Sequence, residues 1–144
     1  MLDTVLKDQL RTLFKDLNQQ YTLDAVVSPT HPKRQELEET LNDLASCSTN
    51  IHTNIKDGDG LQFTILQNGE STRIKFRSTP TGHEFSSLVL AILNYDGKGR
   101  NLPDETVIDR IKRLKGPIHL TTYVNLSCLM CSEIVQSLDA MTVY

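Results

Sequence analysis

Apolar residues recur along this chain in two rhythms, one that suits helices and one that suits strands. Leu6, Leu10, Leu13 and Leu17 form a stripe over residues 4 to 17, with Lys7, Asp8, Arg11, Lys15 and Asp16 off it, and predict an amphipathic helix. Tyr21 to Val27 reads as a strand ended by Ser28-Pro29. Thr30 to Ser46 reads as a second helix, with Pro32 in its first turn, Leu37, Leu41 and Leu44 turned inward and mixed charges on the other side. Ile51, Thr53 and Ile55 predict a strand, and Asp57-Gly58-Asp59-Gly60 a turn. Leu61, Phe63 and Ile65 alternate, Asn68-Gly69 signals a hairpin, and Ile74 with Phe76 marks the returning strand. After Thr79-Pro80-Thr81-Gly82, residues Glu84 to Asn94 are apolar nearly all round, the pattern of a mostly buried helix.

Helix, strand, helix, strand, hairpin and helix in that order suit a mixed sheet covered by helices, the α/β layout of a thioredoxin-like fold. Asp96 to Pro103 is a loop by composition, and Asp104 to Leu114 a short helix with Val107, Ile108, Ile111 and Leu114 as its apolar side, stopped by Lys115-Gly116-Pro117. Ile118, Leu120, Thr122 and Val124 then alternate like a strand, and Cys131, Ile134, Leu138 and Met141 follow at helical spacing. The expected organisation is a complete thioredoxin-like fold over 1–96, a linker with a short helix over 97–117, and over 118–144 the start of a second such fold, cut off after one strand and one helix. A lone strand and helix cannot bury both their faces, so this piece is expected to dock on the first unit or to pair with another chain, as in a homodimer.

Length and charge narrow the functions. The 144 residues suit one domain of ordinary size. Fifteen basic and eighteen acidic side chains, net −3, are interspersed without a phosphate-binding stripe, which argues against a nucleic-acid partner. The start shows no basic and apolar leader, and the longest apolar run, Leu88 to Leu93, is far short of the ~20 residues of a membrane span, so a cytoplasmic protein is expected. The acidic turn at Asp57 lacks the glutamate that closes an EF-hand, since its twelfth position is Asn68, and no metal is expected there.

The candidate chemistry lies in Leu126-Ser127-Cys128-Leu129-Met130-Cys131. Cysteines at this spacing in a first helical turn share one side, within reach of a disulfide. Ser127 is placed as the helix cap, which leaves Cys128 at the positive end of the helix dipole. Only about 3% of a free cysteine is thiolate at neutral pH, and raising that to half takes roughly 2 kcal/mol, close to the upper limit of a dipole. A C-x-x-C at a strand-to-helix junction reads as a redox dithiol. Two other readings stay open: a pair of buried cysteines, and half of a zinc site needing further ligands from Cys47, better read as a core thiol, and four scattered histidines.

Three segments carry a resemblance: Met1 to Thr4, Gly82-His83-Glu84-Phe85 with Ser87 to Ala91, and Leu126-Ser127-Cys128, Cys131 and Val135-Gln136. Together they resemble the N-terminal region of the flavoprotein subunit of bacterial alkyl hydroperoxide reductase, over all 144 residues but only the first part of a longer family chain. The resemblance implies two fused thioredoxin-like folds, the first without redox cysteines and the second with C-x-x-C. It implies electrons passing from NADH through FAD and a reductase dithiol, all outside this stretch, to Cys128 and Cys131, and on to a partner peroxiredoxin. It also implies proton handling by Glu84 beside the cysteines, whereas the residues themselves offer a capping box, Thr81 as cap with Glu84 at the third helical position. The chain departs from the family at Leu129-Met130, where relatives carry polar residues including a histidine, and at Ser132, where proline is frequent; the first departure implies a less stabilised thiolate. The thioredoxin-like strand that faces the dithiol would lie beyond Tyr144. A stand-alone glutaredoxin- or isomerase-like oxidoreductase and a non-catalytic docking module are the alternative functions.

Overall fold

The computed structural model describes residues 1–100 and 102–144; Asn101, within the predicted loop, lies outside the described residues. The chain divides into two compact units, Met1–Thr79 and Pro80–Tyr144. The boundary expected at 96 and this one differ in where they put the apolar helix that follows Pro80.

In the first unit α1 (Thr4–Phe14), β1 (Tyr21–Val27), α2 (Arg34–Ala45), β2 (Ile51–Asp57), β3 (Leu61–Gln67) and β4 (Glu70–Phe76) follow in the predicted order. The sheet runs β2-β1-β3-β4, with β1 parallel to β2 and antiparallel to β3, and β3 antiparallel to β4. The parallel pair needs a crossover, which α2 supplies, while the antiparallel pair closes through Asn68 and Gly69, both at positive φ (51° and 85°) as a two-residue hairpin of this twist requires. Tyr21, Leu23, Ala25 and Val27 are buried at every second position of β1, and Leu61, Phe63 and Ile65 repeat the pattern on β3. Near Ile65 the register slips, and Thr72 replaces the lost ladder bonds, its hydroxyl donating to the Ile65 carbonyl (2.8 Å) and accepting from the Ile74 amide.

Charged groups fasten the helices. Asp43 accepts from Lys7 Nζ (2.6 Å) and from the Leu2 amide (2.7 Å), tying the start of the chain to α2. Those hydrogen bonds, the one from Lys7 first, hold its carboxyl below the usual range. Arg34 joins Glu38 and Asp57 at 2.6 Å each and also donates to the Val27 carbonyl. Two predicted details change: α1 buries Leu10 and Phe14 and leaves Leu13 exposed, and α2 begins at Arg34, after Pro32. A span of four residues from Leu10 to Phe14 keeps both on the line of contact, which Leu13 leaves.

The second unit contains α3 (His83–Tyr95), α4 (Glu105–Lys112) and α5 (Leu129–Met141). No apolar residue of α3 is exposed, as its pattern predicts. The predicted strand over Ile118 to Val124 does not form: the segment takes no regular structure, and Ile118, Leu120 and Tyr123 are exposed. A strand needs a neighbour for its amides and carbonyls, and among the described residues this segment pairs with no strand. Among the described residues no helix is long and apolar enough to cross a membrane.

Candidate functional site

The cysteine helix starts differently from its prediction. Ser127 is engaged behind the helix, its amide (3.0 Å) and hydroxyl (2.8 Å) both bonded to Asn125 Oδ1, while the Cys128 amide donates to the Asn125 carbonyl. Asn125 thus builds the turn into the helix and uses up the serine. Cys128 is the N-cap itself: extended in backbone, its Sγ accepts from the Cys131 amide at 3.2 Å. Cys128 and Cys131 are joined as a disulfide, with Cα atoms 5.4 Å apart. The two residues between them, Leu129 and Met130, are 61% and 64% exposed.

Against this turn lies the start of α3. Gly82 caps α3 at φ 58° and ψ −132°, and a Cβ placed on it would meet the Leu126 carbonyl oxygen at 2.8 Å. Only glycine combines that backbone with that approach. The predicted capping box is therefore replaced: Thr81 gives no side-chain cap, the Glu84 amide goes to the Thr81 carbonyl, and Glu84 sits one position earlier in the helix than predicted. Its side chain is free of capping duty and turns inward, 4% exposed, with Oε1 buried and lacking a hydrogen-bond partner among the described residues.

Helices α3 and α5 pack on each other. The predicted inward stripe on α5 does not hold at Ile134, which is 55% exposed; Ser132 and Ala140 are the buried positions instead. Polar side chains meet across this contact. Gln136 Nε2 reaches Ser86 and Ser87 Oγ at 3.4 Å each, and the Tyr95 hydroxyl meets the Thr142 hydroxyl at 2.8 Å. Asp139 belongs to this face too, with Oδ2 buried and unpartnered. Burial first, and the charge of Glu84 second, push its carboxyl up to about 7. Sequence reasoning missed Asp139, although its spacing of seven from Ser132 and three from Gln136 puts all three on one side of a helix.

The three predicted site residues, Cys128, Cys131 and Glu84, thus belong to one unit, and Cys47 to the other. Cys47 is buried and free, its Sγ directed at the Asp43 carbonyl (3.3 Å). Among the described residues no group of three or more His, Cys, Asp or Glu side chains is placed to hold a metal ion.

A mixed sheet of order β2-β1-β3-β4 with flanking helices, and a C-x-x-C disulfide at a helix start, define a thioredoxin-like α/β protein. The fold matches a solved protein disulfide oxidoreductase from Aeropyrum pernix with a TM-score of 0.79 at 16% identity, over 94% of this chain and 66% of the other. More particularly, the chain fits the N-terminal region of the F subunit of alkyl hydroperoxide reductase. It is 38% identical to the Staphylococcus epidermidis form of that protein and 34% to the Staphylococcus aureus form, over 99% of its own length. It spans 28% of the length of these relatives. The solved N-terminal domain of the alkyl hydroperoxide reductase from Enterococcus faecalis superposes with a TM-score of 0.81 at 23% identity, covering 99% of this chain and 75% of that one. No protein-family model matches the chain.

Proposed function

We propose that this chain relays electron pairs through Cys128 and Cys131, from a flavin-dependent NADH reductase module to the disulfide of a partner peroxiredoxin, and so supports alkyl hydroperoxide reduction. The observation that carries the reading is the disulfide at the start of α5, with the Cys131 amide aimed at Cys128 Sγ. After reduction the same amide and the helix dipole favour a thiolate on Cys128. That thiolate attacks one sulfur of the partner's disulfide, forming a mixed disulfide and releasing the other sulfur as a thiolate, which takes up a proton. Cys131 then loses its proton and attacks Cys128 Sγ, which restores the intramolecular disulfide and frees the partner's second thiol. Two electrons pass to the partner, whose two sulfurs leave as thiolates and take their protons from solvent, while the Cys131 proton stays with this chain's base. Glu84, buried in the first turn of α3, is the base proposed to receive the Cys131 proton.

FAD and NADH would supply the electron pair from outside this chain. Its only G-x-G pairs are Gly58 with Gly60, between two strands, and Gly97 with Gly99, after α3. Neither opens a helix after a strand, so these residues do not fit a dinucleotide. The proposed organisation keeps the dithiol in the second unit, with residues 1–79 as its redox-silent companion and, as a further expectation, a homodimer as the assembly.

The test is reduction of insulin or peroxiredoxin disulfides by the pre-reduced protein, beside Cys128→Ser. Reduction by the native chain alone, with loss to background in the variant, is expected. A folded native chain that reduces neither disulfide rejects the relay and favours a docking role.

A further inference from the structure

Glu84 is 4% exposed, and its Oε1 and the Oδ2 of Asp139 are both buried without a hydrogen-bond partner among the described residues. They stand on the two helices that pack together in this unit. Neither helix contains a lysine or an arginine. The other ionisable side chains of α3 and α5 do not compensate: His83 and Glu133 are exposed, and Asp96, just beyond α3, is paired with Lys98 at 3.1 Å. Among the described residues no donor and no cation is paired with either of these two buried oxygens to replace its lost water, so ionising both carboxyls costs far more than ionising one.

From this face we infer that Glu84 and Asp139 carry one negative charge between them near neutral pH, which makes Asp139 the positioning residue that sets when Glu84 can accept a proton. The inference rests on the proposed role of Glu84 at the dithiol. In such a pair the first proton leaves readily and the second is retained until the medium is alkaline enough to overcome repulsion and desolvation. Burial, and after it the charge of Glu84, push the Asp139 carboxyl up to about 7. The proton that Cys131 gives up moves to the singly ionised pair and leaves it neutral; solvent removes it afterwards, and the pair regains its single charge. Asp139 touches no reacting sulfur in this scheme. It acts through Glu84.

Side-chain carboxyl carbon NMR on the full chain, titrated with and without Glu84→Gln, reads the pair directly. Asp139 is expected to titrate near neutrality in the native chain and lower by about half a pH unit or more in the variant. Titration in the ordinary aspartate range, or no change on removing Glu84, overturns the pair. Disulfide exchange by pre-reduced Asp139→Asn against pH completes the test. With Asp139 unable to carry charge, the exchange profile is expected to move to lower pH while its plateau stays. An unmoved profile in Asp139→Asn, with exchange slowed in Glu84→Gln, overturns the role of Asp139 alone. Exchange unaffected by Glu84→Gln at every pH rejects the role of Glu84 itself, and the positioning role falls with it.

Discussion

Residues 1–79 and 80–144 bury apolar surface to different extents. In the first region the side chains that alternate on β1 and β3 are buried, and every element of the sheet has a hydrogen-bonded neighbour. In the second, only α3 buries a run of apolar residues, Leu88, Val89, Ala91 and Ile92; α4 buries no residue, Ile118, Leu120 and Tyr123 are exposed, and α5 meets α3 through Gln136 while Ile134 faces out. The proposed chemistry thus falls in the region with less of the apolar core. A dry core holds its geometry through area and close packing. A polar helix contact costs desolvation, yet it can place titratable groups where a proton must move.

The largest expected effect breaks the contrast if it is wrong. Leu23→Ala, at a fully buried position, is expected to cost about 2–5 kcal/mol in urea unfolding, whereas Leu120→Ala stays within about 0.5 kcal/mol. A comparable loss at both sites would show that the exposed segment is covered in solution. Next comes Gly82→Ala, which forces a side chain onto positive φ and against the Leu126 carbonyl; a cost of about 1–3 kcal/mol is expected. Amide exchange should quicken around Asn125 to Cys131 in that variant and not in β1, and uniform quickening would contradict a local role.

The two regions also differ in how their carboxyls respond to pH. The Asp139 carboxyl, raised to about 7 in the folded chain, binds a proton that the unfolded chain releases from about pH 4 upward, so it contributes stability at acid pH that is lost as pH rises to about 7. Native stability is expected to fall by roughly 2 kcal/mol between about pH 5 and pH 7 on this account, and Asp139→Asn to flatten the fall. Equal slopes in the two proteins would remove Asp139 from the explanation. Asp43 has the opposite sign and the smallest effect. Its lowered carboxyl contributes stability above the ordinary aspartate range that is lost as pH falls through it, and Asp43→Ala is expected to cost under about 1 kcal/mol near neutral pH and less in acid. A variant whose deficit grows on acidification would contradict that linkage.

Much of the first region was legible in the sequence because its signals are local and agree with its packing. The alternation of Tyr21 to Val27 and the Asn68-Gly69 turn each depend on residues close in the chain, and both appear where predicted. The C-x-x-C was legible as well, since a spacing of three within one helical turn fixes the distance between the sulfurs' backbones. The cap was not, because Ser127 and Cys128 are both able to cap and the choice fell to Asn125, whose side chain claimed the serine. The strand over Ile118 to Val124 failed for a related reason: alternation shows that a segment can pair, and only a neighbouring edge makes it do so.

The sequence alone was enough for the order of elements and the mixed sheet of residues 1–79 and for the pair of cysteines at the head of the last helix, all set by short-range periodicity and turn chemistry. Only the tertiary structure decided that Glu84 leaves its cap position, that Gly82 receives the Leu126 carbonyl and that Asp139 shares a buried face with Glu84. These depend on which sides two helices turn toward each other, and that is settled by the combined burial of residues some fifty positions apart, a distance at which a one-dimensional pattern carries no phase.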